Sequence, residues 1–284
     1  MKILITGGSG FLGRRAAAHL AGLEHTVLTP SHNELDITDA AAVLPWFQTH
    51  RPDAVIHCAA VSDTGLCQKD PEGSAVINVA GSANIAAACA EVGAKLLLCS
   101  SDQVYAGSTL SGPHAEDEPL TPGNEYARQK LEAEERCAAL CSNTVSLRLS
   151  WMYALNSFPG EHGHLLTNLR AALKDPTLPL TWPIHDRRGI TDAACVAANL
   201  PIALTFPAGV YNFGAENDDN TYRTIRSVLE RLQLEEPLTR LVPNLQAFAN
   251  APRDIRMRCD RAASLGARFP STQEGLYQAL AQSL

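Results

Sequence analysis

Ile3-Leu4-Ile5-Thr6-Gly7-Gly8-Ser9-Gly10-Phe11-Leu12-Gly13 runs from an apolar strand through a glycine-spaced turn into a helix, and that order fixes the fold class of the chain. Gly7 and Gly10 reach backbone angles closed to other residues and let main-chain N–H groups approach an anion, while Gly13 allows close packing of helix on strand. The first helical residues, Phe11 and Leu12, add their N–H groups, and the helix dipole favours negative charge there. The stretch therefore reads as a cradle for a dinucleotide pyrophosphate, with Gly7, Gly10, Phe11, Leu12 and Gly13 as its expected contacts.

Outward from the cradle, short apolar runs alternate with helical periodicity. Strands are expected at 3–5, 26–29, 54–57, 95–99 and 144–149, and helices at 11–23, 39–49, 71–92 and 124–140. Repeated βα units of this length specify an α/β fold, a doubly wound parallel sheet of Rossmann type. After Ser150, prolines at 159, 176, 179 and 183 loosen the pattern. A helix over 192–206 and a strand over 210–213 return to the sheet, and Ser271 with Glu274 reads as a capping box opening a last helix. The expected organisation is a dinucleotide-binding domain over 1–152 with return elements at about 181–213. A small substrate-binding lobe then comprises 153–180 and 214–284.

The chain has 284 residues, 45% of them hydrophobic, and a net charge of -7. That is enough apolar material for a large core, and the negative balance opposes a nucleic-acid or anionic-membrane partner. Eight cysteines, none in a CxxC pair, read as small core residues of a reducing compartment, so a cytoplasmic location is expected. Cys137 and Cys141 share a helical face, and His162, His164 and His185 read as loop histidines; no metal site is expected.

Tyr126 and Lys130 are four residues apart on an expected helix and so share a face. An ammonium beside a phenol favours phenolate, which predicts a tyrosine pKa lowered toward working pH. Ser100 and Ser101 end the apolar run Leu96-Leu97-Leu98-Cys99, where ligands of parallel sheets sit. Cradle, strand-end serine and YxxxK, in that order, resemble the extended short-chain dehydrogenase/reductase superfamily. Glu34-Leu35-Asp36-Ile37-Thr38-Asp39, Val55-Ile56-His57-Cys58-Ala59-Ala60, Ser100-Ser101-Asp102-Gln103-Val104-Tyr105 and Leu147-Arg148-Leu149-Ser150-Trp151-Met152-Tyr153 are similar to blocks of its dTDP-4-dehydrorhamnose reductase group.

That resemblance implies a catalytic triad of Ser101, Tyr126 and Lys130, with serine where threonine is common. It implies that Asp36 and Ile37 border the adenine, that Ala59 and Ala60 run beside the cofactor ribose, and that Asn78 is a helix support. Tyr126 and Lys130 would also touch the cofactor. Thr29-Pro30-Ser31-His32 carries no carboxylate for a free ribose diol. NADP is therefore expected over NAD, with Arg14 and Ser31 toward its 2′-phosphate. Arg187 or Arg188 could grip a nucleotide-sugar diphosphate beside Ser101, and a surface ion-pair cluster is the equal alternative. The implied activity is NAD(P)-dependent reduction of a nucleotide-linked 4-keto sugar, with a homodimer as the expected assembly. A nucleotide-sugar epimerase or dehydratase, or a non-catalytic NADP-binding regulatory subunit, are the alternatives.

Overall fold

A computed structural model describes every residue except 160, 162, 283 and 284, so His162 lies outside the described residues. Strands β1 (Lys2–Thr6), β2 (Thr26–Leu28), β3 (Ala54–His57), β4 (Lys95–Ser101) and β5 (Thr144–Leu149), with the edge strand Gly209–Phe213, form one six-stranded sheet. Its order runs from the edge strand through β5, β4, β3 and β1 to β2, and all neighbours are parallel. The chain moves outward from β1 to β2 and then crosses back to β3 on the other side of β1. Reversal of direction there opens a crevice beyond the paired ends Thr6 and His57.

Both faces of the sheet are apolar because alternate side chains point to opposite sides. Ile3, Ile5 and Leu97 pack with Leu12, Ala16 and Leu20 of helix α1 (Phe11–Ala21) and with Val196 and Leu200 of helix Ala193–Ala203. Leu4, Val55, Leu96 and Leu98 face Val43 and Phe47 of helix α2 (Ala40–His50), Ile85 of helix Ser82–Val92, and Ala133 of helix Glu125–Leu140. Each such side chain contributes about 1.5–3 kcal/mol when fully buried, which locks the sheet that carries the crevice.

The expected helix over 71–92 is α-helical at Pro71–Ala75 and Ser82–Val92, with a π-helical stretch Val76–Gly81 between. By length and composition this helix could cross a membrane. Here it packs on the sheet through Ile85, Ala86 and Cys89. Asn78 turns inward from the π-helical turn, bonds both polar atoms of the Val61 backbone at 2.8 and 3.0 Å, and donates to Gln129 at 2.7 Å. It braces the loop after β3 against the helix that carries Tyr126.

A separate apolar cluster joins helices Leu165–Lys174, Thr221–Arg231 and Thr272–Ala281 through Leu165, Leu169, Ile225, Val228, Leu276 and Leu280. Strand Ile190–Asp192 pairs with Trp151–Tyr153 apart from the main sheet. Gly209–Phe213 rejoins the main sheet beside β5. Only half of the expected capping box at 271 forms: the Glu274 N–H donates to Ser271, but the Glu274 carboxylate bonds Arg231 at 2.6 Å. A full cationic partner holds that carboxylate better than one backbone amide does.

Candidate active site

The turn after β1 is closely packed as its sequence predicts, but only Gly7 takes an angle closed to other residues; Gly10, at φ -76° and ψ 176°, is ordinary extended backbone. Gly7 sits at φ 67°, and a Cβ there would stand 2.8 Å from the Ala59 nitrogen; a Cβ on Gly13 would overlap the Gly7 carbonyl. The Gly10 N–H closes the turn onto the Gly7 carbonyl at 2.9 Å. Gly10 also caps α1 without any side-chain hydrogen bond, so among the described residues no N-cap side chain accepts from the first N–H groups of the helix. Backbone packed this tightly, with bare amides at its mouth, fits a pyrophosphate.

Ala59 and Ala60 follow β3 after Cys58, and Ala59 lies against Gly7. Asp36 accepts from the Thr38 N–H and hydroxyl at 2.9 and 2.7 Å, bonds that hold its carboxyl below the usual range. Ile37 is buried against Gly81. Arg14 turns its guanidinium onto the Ser9 carbonyl at 2.9 Å and over the Phe158 ring at 4.9 Å. Ser31 gives both its N–H and its hydroxyl to the Glu34 carboxylate at 2.8 Å. Glu34 lies two residues beyond the Thr29–His32 stretch, outside the strand end where a ribose-binding carboxylate is expected. An S-x-x-E spacing was the available signal.

The second cluster stands where β4 ends. Ser101 accepts from the Gln103 N–H at 3.2 Å and starts the short 3₁₀ turn Asp102–Tyr105. Asn124 caps helix Glu125–Leu140 by accepting from the Ala127 N–H at 2.9 Å, and its amide donates to Gln103 at 3.3 Å. Those caps tie the strand end to the helix start and aim Tyr126 and Lys130 inward, 8% and 5% exposed. The Ser101 hydroxyl donates to the Asp102 carboxylate at 3.3 Å and lies near enough to the Tyr126 phenol to pull its pKa down. Lys130 Nζ lies 5.7 Å from the Tyr126 ring centroid and donates to the Cys99 carbonyl at 2.9 Å. Serine, phenol and ammonium thus converge.

The phenol departs from the sequence expectation in one respect. Burial pushes Tyr126 well above its ordinary value, with the Ser101 hydroxyl pulling the other way, and the same burial lowers Lys130. Desolvation of the phenolate is the largest cause, and the negative charge of Asp102 adds to it. Tyr126 is consequently a fully protonated group at neutral pH.

Asp102, next to Ser101, receives the Arg188 guanidinium at 2.8 and 3.0 Å, and both side chains are buried. Arg188 also lies over the Trp151 ring at 5.2 Å, and its Nε is buried without a hydrogen-bond partner among the described residues. Arg187 is half-exposed and donates to the Asp218 carbonyl at 2.9 Å. The structure therefore brings Arg188, and not Arg187, to the serine. Asp102 as its anchor was not foreseen, since no local pattern links positions 86 residues apart.

A doubly wound sheet with a bare glycine cradle at its switch point and a Ser–Tyr–Lys cluster at the end of the next strand defines a dinucleotide-binding protein of the short-chain dehydrogenase/reductase type. The chain belongs to the family described as RmlD substrate binding domain, whose model matches residues 1–284. It is 30% identical over 214 residues to a dTDP-4-dehydrorhamnose reductase of Streptomyces griseus, covering 74% of this chain and 69% of that one. Over 152 residues it is 35% identical to a protein of the same name from Mycolicibacterium smegmatis, covering 54% of this chain and 46% of that protein. A comparable stretch of 159 residues is 35% identical to methionine adenosyltransferase 2 subunit beta of Xenopus tropicalis, covering 54% of this chain and 47% of the relative. In these last two, the chain spans about half the relative's length. A solved dTDP-4-dehydrorhamnose reductase from Yersinia enterocolitica superposes with a TM-score of 0.85 at 24% identity, over 100% of this chain and 99% of that one. One from Bacillus anthracis in complex with NADP gives 0.83 at 23%, over 99% and 98%. These two establish the fold.

Proposed function

We propose that the chain is an NADP-dependent reductase of a nucleotide-linked 4-keto sugar. The convergence of Ser101, Tyr126 and Lys130 beside the glycine crevice carries this reading. Gly7, Gly10, Phe11, Leu12 and Gly13 would hold the dinucleotide phosphates, Ala59 and Ala60 would lie along a ribose, and Asp36 with Ile37 would border the adenine. When bound there, NADPH would supply the hydride for a substrate carbonyl carbon. Tyr126, kept protonated by burial, donates its proton to the oxygen of that carbonyl, and Ser101 stabilises the same oxygen as charge develops. Lys130, whose Nζ lies 5.7 Å from the centroid of the phenol ring, would reach the cofactor ribose.

Arg188 fits a substrate oxygen with its unpaired Nε while Asp102 fixes its other edge. That pairing also disfavours a dehydratase, which needs a free acid beside the serine, because Asp102 is engaged twice by Arg188. Incubating the protein with NADPH and a panel of nucleotide 4-keto sugars tests the reading. Stoichiometric loss of the nicotinamide absorbance supports it. Conversion of sugar with the cofactor unchanged supports an epimerase instead.

Similarity to a protein named as a subunit favours a second reading, a non-catalytic nucleotide-binding subunit. A stable hetero-complex together with no turnover on the panel would support it.

A further inference from the structure

The thiols of Cys58 and Cys99 are 3.5 Å apart, sulfur to sulfur, and among the described residues no other two thiols share a hydrogen bond. The pair sits at the crevice. His57 and Leu98 are the last register partners of β3 and β4, so Cys58 and Cys99 stand next along the same ladder. Cys58 is partly exposed, whereas Cys99 is 7% exposed. Their shared hydrogen bond holds Cys99 down and pushes Cys58 up, and the Lys130 ammonium lowers both. The two sulfurs share one hydrogen bond in which either can be the donor.

We propose that Cys58 and Cys99 form an oxidisable dithiol that peroxide converts to a disulfide, and that this bond weakens cofactor binding. The Cys99 thiolate attacks one oxygen of hydrogen peroxide, the O–O bond breaks, and hydroxide leaves Cys99 as a sulfenic acid. The Cys58 sulfur then attacks the sulfenic sulfur and water departs with the thiol proton. Overall, two thiols lose two hydrogens and one peroxide becomes two waters. A disulfide is about 2.05 Å long, so the sulfurs must close by roughly 1.5 Å.

Both ends of that movement touch functional backbone. The Cys99 carbonyl accepts from Lys130, and Cys58 precedes Ala59, which has no spare room against Gly7. The expected consequence is NADPH binding weakened by roughly tenfold or more, the scale on which displacements of an ångström act in preorganised sites. The effect on binding rests on the cofactor assignment above; formation of the bond does not.

Treat the full chain with hydrogen peroxide, map the peptides by mass spectrometry, and titrate NADPH by fluorescence before oxidation, after it, and after dithiothreitol. A Cys58–Cys99 crosslink with two hydrogens lost, weakened NADPH binding and recovery on reduction are expected. Cys58→Ser and Cys99→Ala should each remove both effects, and either variant suffices if the other misfolds. A crosslink between other cysteines, no crosslink, or a Cys58–Cys99 bond with unchanged NADPH affinity overturns the proposal. Failure of the reduced protein to bind NADPH would instead refute the cofactor assignment, while the peptide map still decides whether the dithiol exists.

Discussion

Replacing Arg188 with methionine leaves the Asp102 carboxylate buried without its cation. The pair is nearly dry, with side chains 9% and 1% exposed and N–O distances of 2.8 and 3.0 Å. Breaking such a pair from one side costs about 3–5 kcal/mol, which for a chain of this size lowers Tm by roughly 6–15 °C. Burial already raises the Asp102 pKa, with Arg188 opposing, so the variant raises it further. A carboxyl raised in the folded state takes up a proton there before the unfolded chain does. Stability of Arg188→Met should therefore rise as pH falls through the raised pKa toward the unfolded value, and be lost as pH rises through the raised pKa. The deficit against the parent should be smaller at pH 5 than at pH 8. Adding Asp102→Asn removes the stranded charge and should restore most of the loss, because a missing pair is far less costly than half of one. Thermal unfolding followed by circular dichroism at both pH values measures all three proteins. Equal Tm for Arg188→Met and the parent, or no recovery in the double variant, would refute the argument.

Three further outcomes follow from the same geometry. Gly13→Ala places a methyl into the Gly7 carbonyl, so the cradle must shift; a stability loss of about 1–3 kcal/mol and a much larger loss of NADPH affinity are expected, checked by chemical denaturation and fluorescence titration. Glu34→Gln removes a carboxylate that holds both donors of Ser31, and the ratio of NADPH to NADH affinity should rise several-fold by charge relief. An unchanged ratio would remove Ser31 from the cofactor site. Asn78→Ala unbraces the Val61 loop and Gln129 together and should cost about 1–3 kcal/mol of stability by leaving buried polar groups unpaired.

The sheet was legible because its strands are short apolar runs bounded by turn signals: Ala54–His57 and Thr144–Leu149 have their expected limits. Caps at Asp39, Asn124 and Asp192 explain why three expected helices began one residue early, for each is the residue whose side chain accepts from the first turn. The lobe was harder to read. Tyr222, Ile225, Leu229 and Leu232 carry a helical stripe, whereas Leu165–Lys174 follows a glycine- and histidine-containing stretch that offers no periodicity. Serine, tyrosine and lysine could be picked out by spacing along elements whose type was clear. The Asp102–Arg188 pair and the thiol contact could not, because both depend on how distant segments dock. The Tyr126 pKa likewise depends on burial, which outweighs the neighbouring charge that the spacing reveals.

Turnover by Tyr126→Phe, measured beside its affinity for NADPH, tests the central claim most directly. The phenol oxygen is the proposed proton donor, and the ring itself stays packed, so the substitution removes chemistry and little else. A positioned acid contributes about 10²–10⁴-fold in rate, and a loss of that order with a nearly unchanged NADPH dissociation constant is the expected result. Reduction of a nucleotide 4-keto sugar at the parent rate by Tyr126→Phe would contradict the account.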